Sequence, residues 1–225
     1  GPGCPVCVMP RQRIDIALKL ANQKNVIFCT LGDLLRVPGS KESLLDLRAK
    51  GADVRALYTP LEVLQIAKEN KKIIFFAIGF ETTTPMSALL LEKVIEQGLK
   101  NISIFSNHIT VPAPIQAIMS DENVKIDAFL GPSHVSVITG YQIYENLVKT
   151  FRTPIAVSGF EPVDIMESVL NIILQKNAQK AEIYNQYSRV VSRLGNVKAQ
   201  NLVQKYFKPC DFEFRGLGLI KNGGL

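Results

Sequence analysis

Two cysteines near the start of the chain are the side chains best suited to chemistry. Cys4 and Cys7 lie in the stretch Gly-Pro-Gly-Cys-Pro-Val-Cys, whose two glycines and two prolines indicate a tight turn. This spacing brings two thiols close enough to form a disulfide or to bind one metal ion. A thiol beside a group that can share its charge or proton is expected to have a lowered pKa, and the thiolate is the form that attacks or ligates. The motif therefore predicts redox chemistry, metal binding or both.

A second group of polar side chains follows the strongest predicted strand, the apolar run 73–78. Glu81, Thr82 and Thr83 come directly after it, and Pro85 suits the first turn of the next helix. One threonine is expected to cap that helix, which leaves further hydroxyls and a carboxylate for another role. Since open parallel sheets bind ligands beyond the carboxyl ends of their strands, these side chains are candidates for a binding site.

The same kind of junction occurs a second time. Residues 159–162, Gly-Phe-Glu-Pro, repeat the Gly-Phe-Glu of residues 79–81 between an apolar strand and a helix. This second junction brings Glu161 and Asp164 to the start of a helix. The helix dipole alone favours acids there, so a structural and a functional role are both open for them.

Both histidines also follow predicted strands. His108 comes after the strand 102–106, and His134 lies in the first turn of the helix that follows the strand 126–130. The helix dipole disfavours an imidazolium at His134, and a neutral imidazole can ligate a metal or exchange a proton near neutral pH. The alternative for each histidine is a partly buried ring with satisfied hydrogen bonds.

Strands and helices alternate along most of the chain, which predicts an α/β protein with open parallel sheets. Two similar lobes with a cleft between them are expected, one from residues 1–80 plus 160–225 and the other from 81–159. The predicted strands are 26–30, 54–58, 73–78, 102–106, 126–130 and 154–158. The predicted helices are 11–23, 43–50, 61–70, 85–97, 113–120, 135–150, 162–178 and 196–207. Residues 183–191 fit either a strand or a helix, and residues 211–219 are expected to be extended.

Composition narrows the classes of function. The chain has 225 residues, 47% of them hydrophobic, and a net charge of +6. Its apolar runs fall short of the roughly 20 residues of a membrane helix, and its Lys and Arg residues do not form the basic-aromatic stripe of a nucleic-acid binder. The charge favours a solvated basic surface or an acidic partner. Four cysteines in a chain of this length, without a signal-peptide pattern, predict the reducing cytoplasm.

Several common motifs are missing from the sequence. There is no Gly-x-Gly-x-x-Gly after a strand, no P-loop and no Gly-x-Ser-x-Gly elbow, which argues against the corresponding dinucleotide, phosphate and serine-hydrolase sites. A closed zinc site usually needs two close ligand pairs, and Cys29 and Cys210 do not form a second pair. The first thiol pair therefore stands as the main chemical feature.

Four segments, taken in order, resemble the HypD family of nickel–iron hydrogenase maturation proteins. They are residues 1–7 (GPGCPVC), 76–83 (FAIGFETT), 131–136 (GPSHVS) and 158–164 (SGFEPVD). The resemblance extends over the whole chain and includes Asn107-His108 and the Arg-Gly-Leu-Gly stretch at 215–218. On this resemblance, the chain is expected to be an internal fragment without the family's N-terminal segment and its C-terminal cysteine-rich region.

The resemblance implies a scaffold more than a turnover enzyme. Family members pair with a small chaperone, HypC, and together they hold iron while cyanide and carbon monoxide are added to form the Fe(CN)2CO unit. HypE delivers the cyanide. A four-iron–four-sulfur cluster is implied for the full-length protein, with ligands outside this chain.

The resemblance also implies roles for individual residues. Cys4 and Cys7 match the family's redox-active or iron-proximal pair. The matching polar positions that would line the cleft are Glu81, Thr82, Thr83, His108, His134, Ser136, Glu161 and Asp164. Soft thiolates suit low-spin iron, and polar donors around it can hydrogen-bond to cyanide nitrogens.

Two other classes of function fit the residues. A dithiol–disulfide oxidoreductase would act through Cys4 and Cys7 without iron. A two-lobed module that binds a small anion at helix N-termini would not need the thiols, so its affinity would survive Cys4→Ser.

Overall fold

The structure, a computed structural model, describes residues 4–225. Residues 1–3 of the predicted thiol turn lie outside the described residues. The chain forms two compact units. The first, called the thiol unit here, comprises Cys4–Ile109 and Leu202–Leu225; the second, the central unit, comprises Thr110–Asn201. The boundary near residue 201 falls within a helix, Val197–Tyr206.

A four-stranded parallel sheet organises the thiol unit. Its strands are β1 (Val26–Leu31), β2 (Val54–Leu57), β3 (Lys72–Gly79) and β4 (Ile102–His108). They lie in the order β2-β1-β3-β4, with Cys29 beside Phe75 and Ala77 beside Ser106 in the register. The predicted strands of this part of the sequence are thereby confirmed.

After Lys72, which is exposed at its start, strand β3 is apolar because both faces of the sheet are covered. On one face Ile73, Phe75 and Ala77 pack in a core with Leu90 and Val94. On the other face three aromatic rings form a row across β1, β3 and β4. They are Phe28, Phe76 and Phe105, with centroid distances of 6.1 Å and 5.2 Å between neighbours.

Short helices connect these strands. They are α1 (Pro5–Val8), α2 (Arg11–Ala21), α3 (Leu44–Ala49), α4 (Val63–Ile66) and α5 (Thr84–Glu96). Helix α2 buries Ile14, Ala17 and Ala21 at helical spacing. Helix α3 starts at a capping box, in which the side chains of Ser43 and Asp46 bond each other's backbone N–H groups.

The predicted continuous helix 61–70 is broken into shorter pieces. A 3-10 turn at Pro60–Glu62 precedes α4, and a second at Ala67–Glu69 follows it. The segment ends at Asn70, whose positive φ of 56° is a left-handed conformation that a helix does not continue through.

An antiparallel hairpin completes the thiol unit. It consists of β8 (Cys210–Phe214) and β9 (Gly218–Gly224), which confirms the extended conformation predicted for residues 211–219. The hairpin is joined to β4 because Leu225 N–H donates to the carbonyl of His108 at 3.0 Å. Arg13 of α2 lies over the rings of Phe105 and Phe212 and so links the helix, the sheet and the hairpin.

The central unit contains a second parallel sheet. Its strands are β5 (Phe129–Pro132), β6 (Ile155–Ser158) and β7 (Ile183–Asn185), in the order β5-β6-β7. Its helices are α6 (Pro112–Met119), α7 (Ser133–Thr139), α8 (Glu145–Phe151) and α9 (Pro162–Asn177), and α10 is the boundary helix at 197–206. Two parallel sheets with connecting helices confirm the predicted α/β class.

The predicted helix 135–150 is interrupted at Gly140, which has a positive φ of 74°. The backbone of Arg193 occupies the space that a Cβ on Gly140 would need, and a Cβ on Gly195 would in turn overlap the backbone nitrogen of Gly140. Tyr141 N–H donates to Ser192 O at 3.3 Å, so the later segment crosses directly over the interruption. A straight helix would block this crossing.

The strand pairing groups the chain differently from the predicted lobes. Strand β4 pairs with β3, which places residues 81–109 in the thiol unit. Strand β7 pairs with β6, which places residues 160–201 in the central unit. The units therefore divide at 109 and 201, whereas the division predicted from the repeated Gly-Phe-Glu junction fell at 80 and 160.

Candidate functional site

The two thiols lie at the start of the short helix α1. Cys4 is the residue that caps this helix, and Pro5 occupies its first position. The Cys7 N–H contacts both the carbonyl oxygen of Cys4, at 3.0 Å, and its Sγ, at 3.2 Å. Both side chains are exposed and not in a disulfide. The helix turn thus presents two free thiols next to each other, as the spacing predicted.

Two neighbouring side chains act on the thiol of Cys7. The pKa of Cys7 is raised above its ordinary value, chiefly because its thiol is hydrogen-bonded to Cys4, with desolvation as a second cause. The charge of Arg215 acts in the opposite direction and lowers it. Cys7 is therefore not the thiol of the pair for which a lowered pKa is expected, because a thiol that donates its proton to a neighbour holds that proton more firmly.

Contacts on two sides hold α1 in the thiol unit. The helix packs against β3, and the next residue, Met9, is fully buried. The carbonyl of Val8, the last residue of α1, accepts the N–H of Arg215 from the β8–β9 turn at 2.7 Å. The hairpin therefore fixes the thiol helix and brings the Arg215 charge to it. Sequence reasoning noted Arg215 within the family resemblance but did not connect it with the thiols.

The strand order makes the carboxyl end of β3 a candidate place for ligand binding. In a sheet of order 2-1-3-4, the connections after β1 and β3 leave in opposite directions, and such a switch point is where open parallel sheets bind ligands. Helix α3, after β1, packs on α2, whereas α5, after β3, packs on α4. The turn that carries Glu81, Thr82 and Thr83 lies at this switch point, with all three side chains half-buried.

Thr83 has a different role from the predicted helix cap. It occupies the cap position of α5, but within the described part of the chain its hydroxyl donates back to the carbonyl of Phe80 at 3.2 Å instead of accepting a helix N–H. Its side chain fills the space beside Gly79, where an added Cβ would overlap it. Gly79 also has a φ of 151°, which favours glycine. Thr83 therefore shapes the turn after β3.

His108 lies at the carboxyl end of β4, as predicted, but its ring is buried. Its Nε2 is 2.8 Å from the hydroxyl of Ser87, and Phe207 stacks edge-on at a centroid distance of 5.7 Å. Burial lowers the pKa of His108 to about 4, so the ring is neutral at physiological pH. These surroundings are those of a packing residue, and a ligand-binding role for His108 stays a prediction.

In the central unit Asp164 is the centre of a polar network. It is buried in the first turn of α9, where Arg189 donates from Nη1 to Oδ1 at 3.0 Å and also from Nη2 to Oδ2. Gln186 donates to the same Oδ1 at 2.7 Å and accepts the N–H of Gly159 at 3.1 Å. These contacts lower the pKa of Asp164, Arg189 first among the causes. The network favours the structural role that the sequence left open.

Arg189 and Gln186 were missed by the sequence reasoning. Both belong to the stretch 183–191, whose pattern fitted a strand and a helix equally. Only a short strand, β7, forms there, and the residues after it return to the start of α9. A buried acid near a helix start indicates that a cation or an amide from another part of the chain pairs with it, but the sequence does not identify that partner.

The remaining predicted residues of the central unit differ in exposure. His134 is exposed in the first turn of α7, and its ring contacts Phe160 at a centroid distance of 4.4 Å. Glu161 is exposed at the cap position of α9. Ser136 is buried, where its hydroxyl donates to the carbonyl of Pro132 at 2.9 Å. Of these three, His134 and Glu161 have side chains that a ligand can reach.

The predicted site residues thus fall into two sets, one in each unit. Cys4, Cys7, Glu81, Thr82, Thr83 and His108 belong to the thiol unit, and His134, Ser136, Glu161 and Asp164 belong to the central unit. A cleft that would bring the sets together stays a prediction. Over residues 4–225, the structure contains no group of three or more His, Cys, Asp or Glu side chains placed to hold a metal.

Comparison with known proteins identifies the family. The family model described as "HypD: Hydrogenase formation hypA family" matches residues 1–225. This chain belongs to the HypD family. The resemblance read from the four motifs is thereby confirmed.

Curated relatives in the HypD family match over the whole chain. A protein named "Hydrogenase maturation factor HypD" from Rhodobacter capsulatus is 46% identical over 228 residues, which cover 60% of that protein. Proteins of the same name from Rhizobium leguminosarum bv. viciae and Escherichia coli (strain K12) are 48% and 43% identical, each with 61% of its length covered. The chain therefore spans about three fifths of the length of these relatives. Within the described residues, no helix combines the length and apolar character needed to span a membrane.

Proposed function

We propose that this chain is the thiol-bearing part of a scaffold for nickel–iron hydrogenase maturation. In the proposal, Cys4 and Cys7 hold iron or act beside it while the Fe(CN)2CO unit is assembled with a HypC-like chaperone. The observation that carries the proposal is the exposed pair of free thiols at the start of α1 in a chain of the HypD family. The relatives' name, hydrogenase maturation factor, supports the same role for the full-length protein.

The chemistry of the thiols fits iron as a cargo. Thiolates are soft ligands that suit low-spin iron with cyanide and carbon monoxide, which are themselves strong ligands. Two thiolates occupy only part of an iron coordination sphere. Among the described residues, no further His, Cys, Asp or Glu side chain forms a metal-binding group with them. The proposal therefore assigns the remaining positions to the diatomic ligands and to the chaperone, with cyanide supplied by a HypE-like donor.

A four-iron–four-sulfur cluster does not fit this chain. Such a cluster needs four thiolates, and beyond the pair the chain has Cys29 and Cys210. Cys29 is buried mid-strand in the sheet core, and burial raises its pKa to about 12, so it remains a thiol. If the full-length protein carries a cluster, its ligands lie outside these 225 residues.

The proposal is tested in the full-length protein with three serine variants. Cys4→Ser and Cys7→Ser are expected to abolish hydrogenase activity in a strain that lacks its own copy of the gene. Cys210→Ser, which removes an exposed thiol outside the pair, is the matched control and is expected to retain activity. Thermal unfolding of each variant shows whether it has folded.

Infrared spectroscopy separates the scaffold from the alternatives. Full-length protein purified with its chaperone is expected to show cyanide and carbonyl stretches that disappear in the Cys4 and Cys7 variants. A dithiol–disulfide oxidoreductase, which the adjacent exposed thiols also suit, would show thiol exchange without iron or infrared bands. Normal maturation by a folded Cys4→Ser variant would refute both the scaffold and the dithiol–disulfide oxidoreductase.

A further inference from the structure

Helix α9 has its polar side buried and its apolar side exposed. Its buried residues are Asp164, Ser168 and Gln175. Besides the Asp164 network, Ser168 donates to the carbonyl of Asp164 at 2.8 Å, and the Gln175 side-chain oxygen accepts the N–H of Glu182 at 2.8 Å. An ordinary surface helix has the opposite arrangement, with its apolar side buried.

The exposed side of α9 carries a continuous apolar stripe. Its residues are 49% to 73% exposed. They are Val163, Met166, Leu170, Ile173 and Leu174, and this set is called the α9 stripe here. Their spacing of three and four residues places them on one side of the helix, away from the buried polar residues. Ile165 and Val169, also exposed, extend the apolar surface on one flank.

The polar contacts fix the rotation of the helix. Turning α9 to bury its stripe would break the ion pair between Asp164 and Arg189 and the bond between Gln175 and Glu182. Single exposed apolar residues are ordinary on protein surfaces, but a contiguous uncharged patch of this kind marks an interface. The stripe is therefore a candidate surface for contact with another polypeptide.

The relatives suggest where that polypeptide comes from. This chain spans about three fifths of their length, so each relative contains further polypeptide outside the matched region. We propose that in the full-length protein a segment outside these 225 residues packs its own apolar side chains against the α9 stripe. The uncharged stripe fits a permanent contact, since interface cores are depleted of charged residues. A tethered segment also needs no free partner concentration to bind.

Oxidation of Met166 in the full-length protein tests the proposal. Met166 is 72% exposed in this chain, whereas Met9 is 1% exposed and serves as the buried reference. Hydrogen peroxide converts accessible methionine to the sulfoxide, and peptide mass spectrometry gives the rate at each site. We expect native full-length protein to oxidise Met166 at least about tenfold more slowly than the same protein unfolded in denaturant. A native rate equal to the unfolded rate would overturn the proposal.

Protein concentration distinguishes a tethered segment from a second copy of the chain. Protection of Met166 by a segment of the same molecule is expected to be unchanged on dilution, with a monomeric mass by light scattering throughout. Protection that disappears on dilution together with a dimer would assign the stripe to self-association and overturn the assignment to a segment.

A pair of substitutions gives an independent measurement. Leu170→Asp places a charge in the α9 stripe, and Val190→Asp makes the same kind of change at a side chain of the central unit that is similarly exposed, 56% against 51%. We expect Leu170→Asp to lower the melting temperature of the full-length protein and to abolish Met166 protection, while Val190→Asp changes neither. If both variants fold, have the same melting temperature and still protect Met166 from oxidation, the proposal is contradicted.

Discussion

The carboxylate of Asp164 occupies the space that a Cβ atom on Gly159 would need. The same carboxylate is held by Arg189 and Gln186, and the Gln186 side chain accepts the N–H of Gly159. Gly159, Asp164 and Gln186 therefore form one connected group at the junction between β6 and α9. At the equivalent junction after β3, Gly79 leaves the same kind of space for Thr83.

Gly159→Ala is expected to lower the free energy of unfolding by about 1–3 kcal/mol, because the new methyl group must displace a buried, ion-paired carboxylate. Urea denaturation followed by circular dichroism measures the change. Gly32→Ala is the matched control, since its added Cβ would meet no described atom within 4 Å. An equal loss of stability in both variants would contradict the steric explanation.

Arg189→Met is expected to lower the free energy of unfolding, because it leaves the Asp164 carboxylate without its main partner while Arg189 itself is half-exposed. Lys176→Met is the control, since it removes an ion pair with Asp127, whose side chain is 84% exposed, and such a surface pair contributes within about 0.5 kcal/mol.

The pH dependence of Arg189→Met checks the cause. Asp164 has a lowered folded pKa, so its contribution is present above the unfolded value of 3.8 and is lost as the pH falls through the folded value. The stability difference between wild type and Arg189→Met should therefore shrink in acid. A difference that stays constant down to pH 2 would point to lost packing instead of lost charge pairing.

His108 is expected to make the protein less stable as the pH falls. Its pKa is about 4 in the folded protein and 6.5 for an exposed histidine, so between these pH values only the unfolded chain binds the proton. Above pH 6.5 the pKa difference of His108 has no effect on the free energy of unfolding. As the pH falls towards 4, it lowers the free energy of unfolding by up to about 3 kcal/mol.

A variant of His108 isolates this effect. His108→Gln should flatten the part of the stability–pH curve between pH 6.5 and 4, measured by denaturation at each pH. A slope that survives His108→Gln would assign the pH dependence to other groups.

Cys7 is expected to be alkylated faster once its hydrogen bond to Cys4 is removed. In Cys4→Ala the main cause of the raised pKa of Cys7 is gone, so its rate with iodoacetamide at pH 8 should rise by roughly threefold or more. Arg215→Gln removes the charge that lowers this pKa and should slow the reaction.

Mass spectrometry of the alkylated peptides gives both rates. Cys210, which is exposed, is the internal reference, and buried Cys29 should stay unmodified while the protein is folded. A Cys7 rate that is the same in wild type and Cys4→Ala would refute the assigned hydrogen bond.

Local pattern was enough to predict most elements of the fold. The apolar run 73–78 can bury both faces only as a central strand, and the prolines at 85 and 162 mark helix starts that the structure confirms within one residue. Pairing partners were harder, because a strand's own sequence does not specify its neighbour. This is why β4, which joins β3, was predicted in the other lobe.

The candidate site was predicted where its residues are close in sequence. The adjacency of Cys4 and Cys7 follows from a two-residue spacing and a proline-started turn. Arg215 and Arg189 were missed because they reach Val8 and Asp164 from distant parts of the chain. Such contacts depend on tertiary structure, which no local pattern contains.

The close approach of Gly140 and Gly195 restricts how this protein can evolve. At most crowded positions a larger residue can be accommodated when a neighbouring side chain becomes smaller. Here the obstructing atoms are main chain on both sides, so neither position has a side chain to give up. Homologues that retain this crossing should therefore keep glycine at both positions, and compensating pairs of substitutions should not arise there.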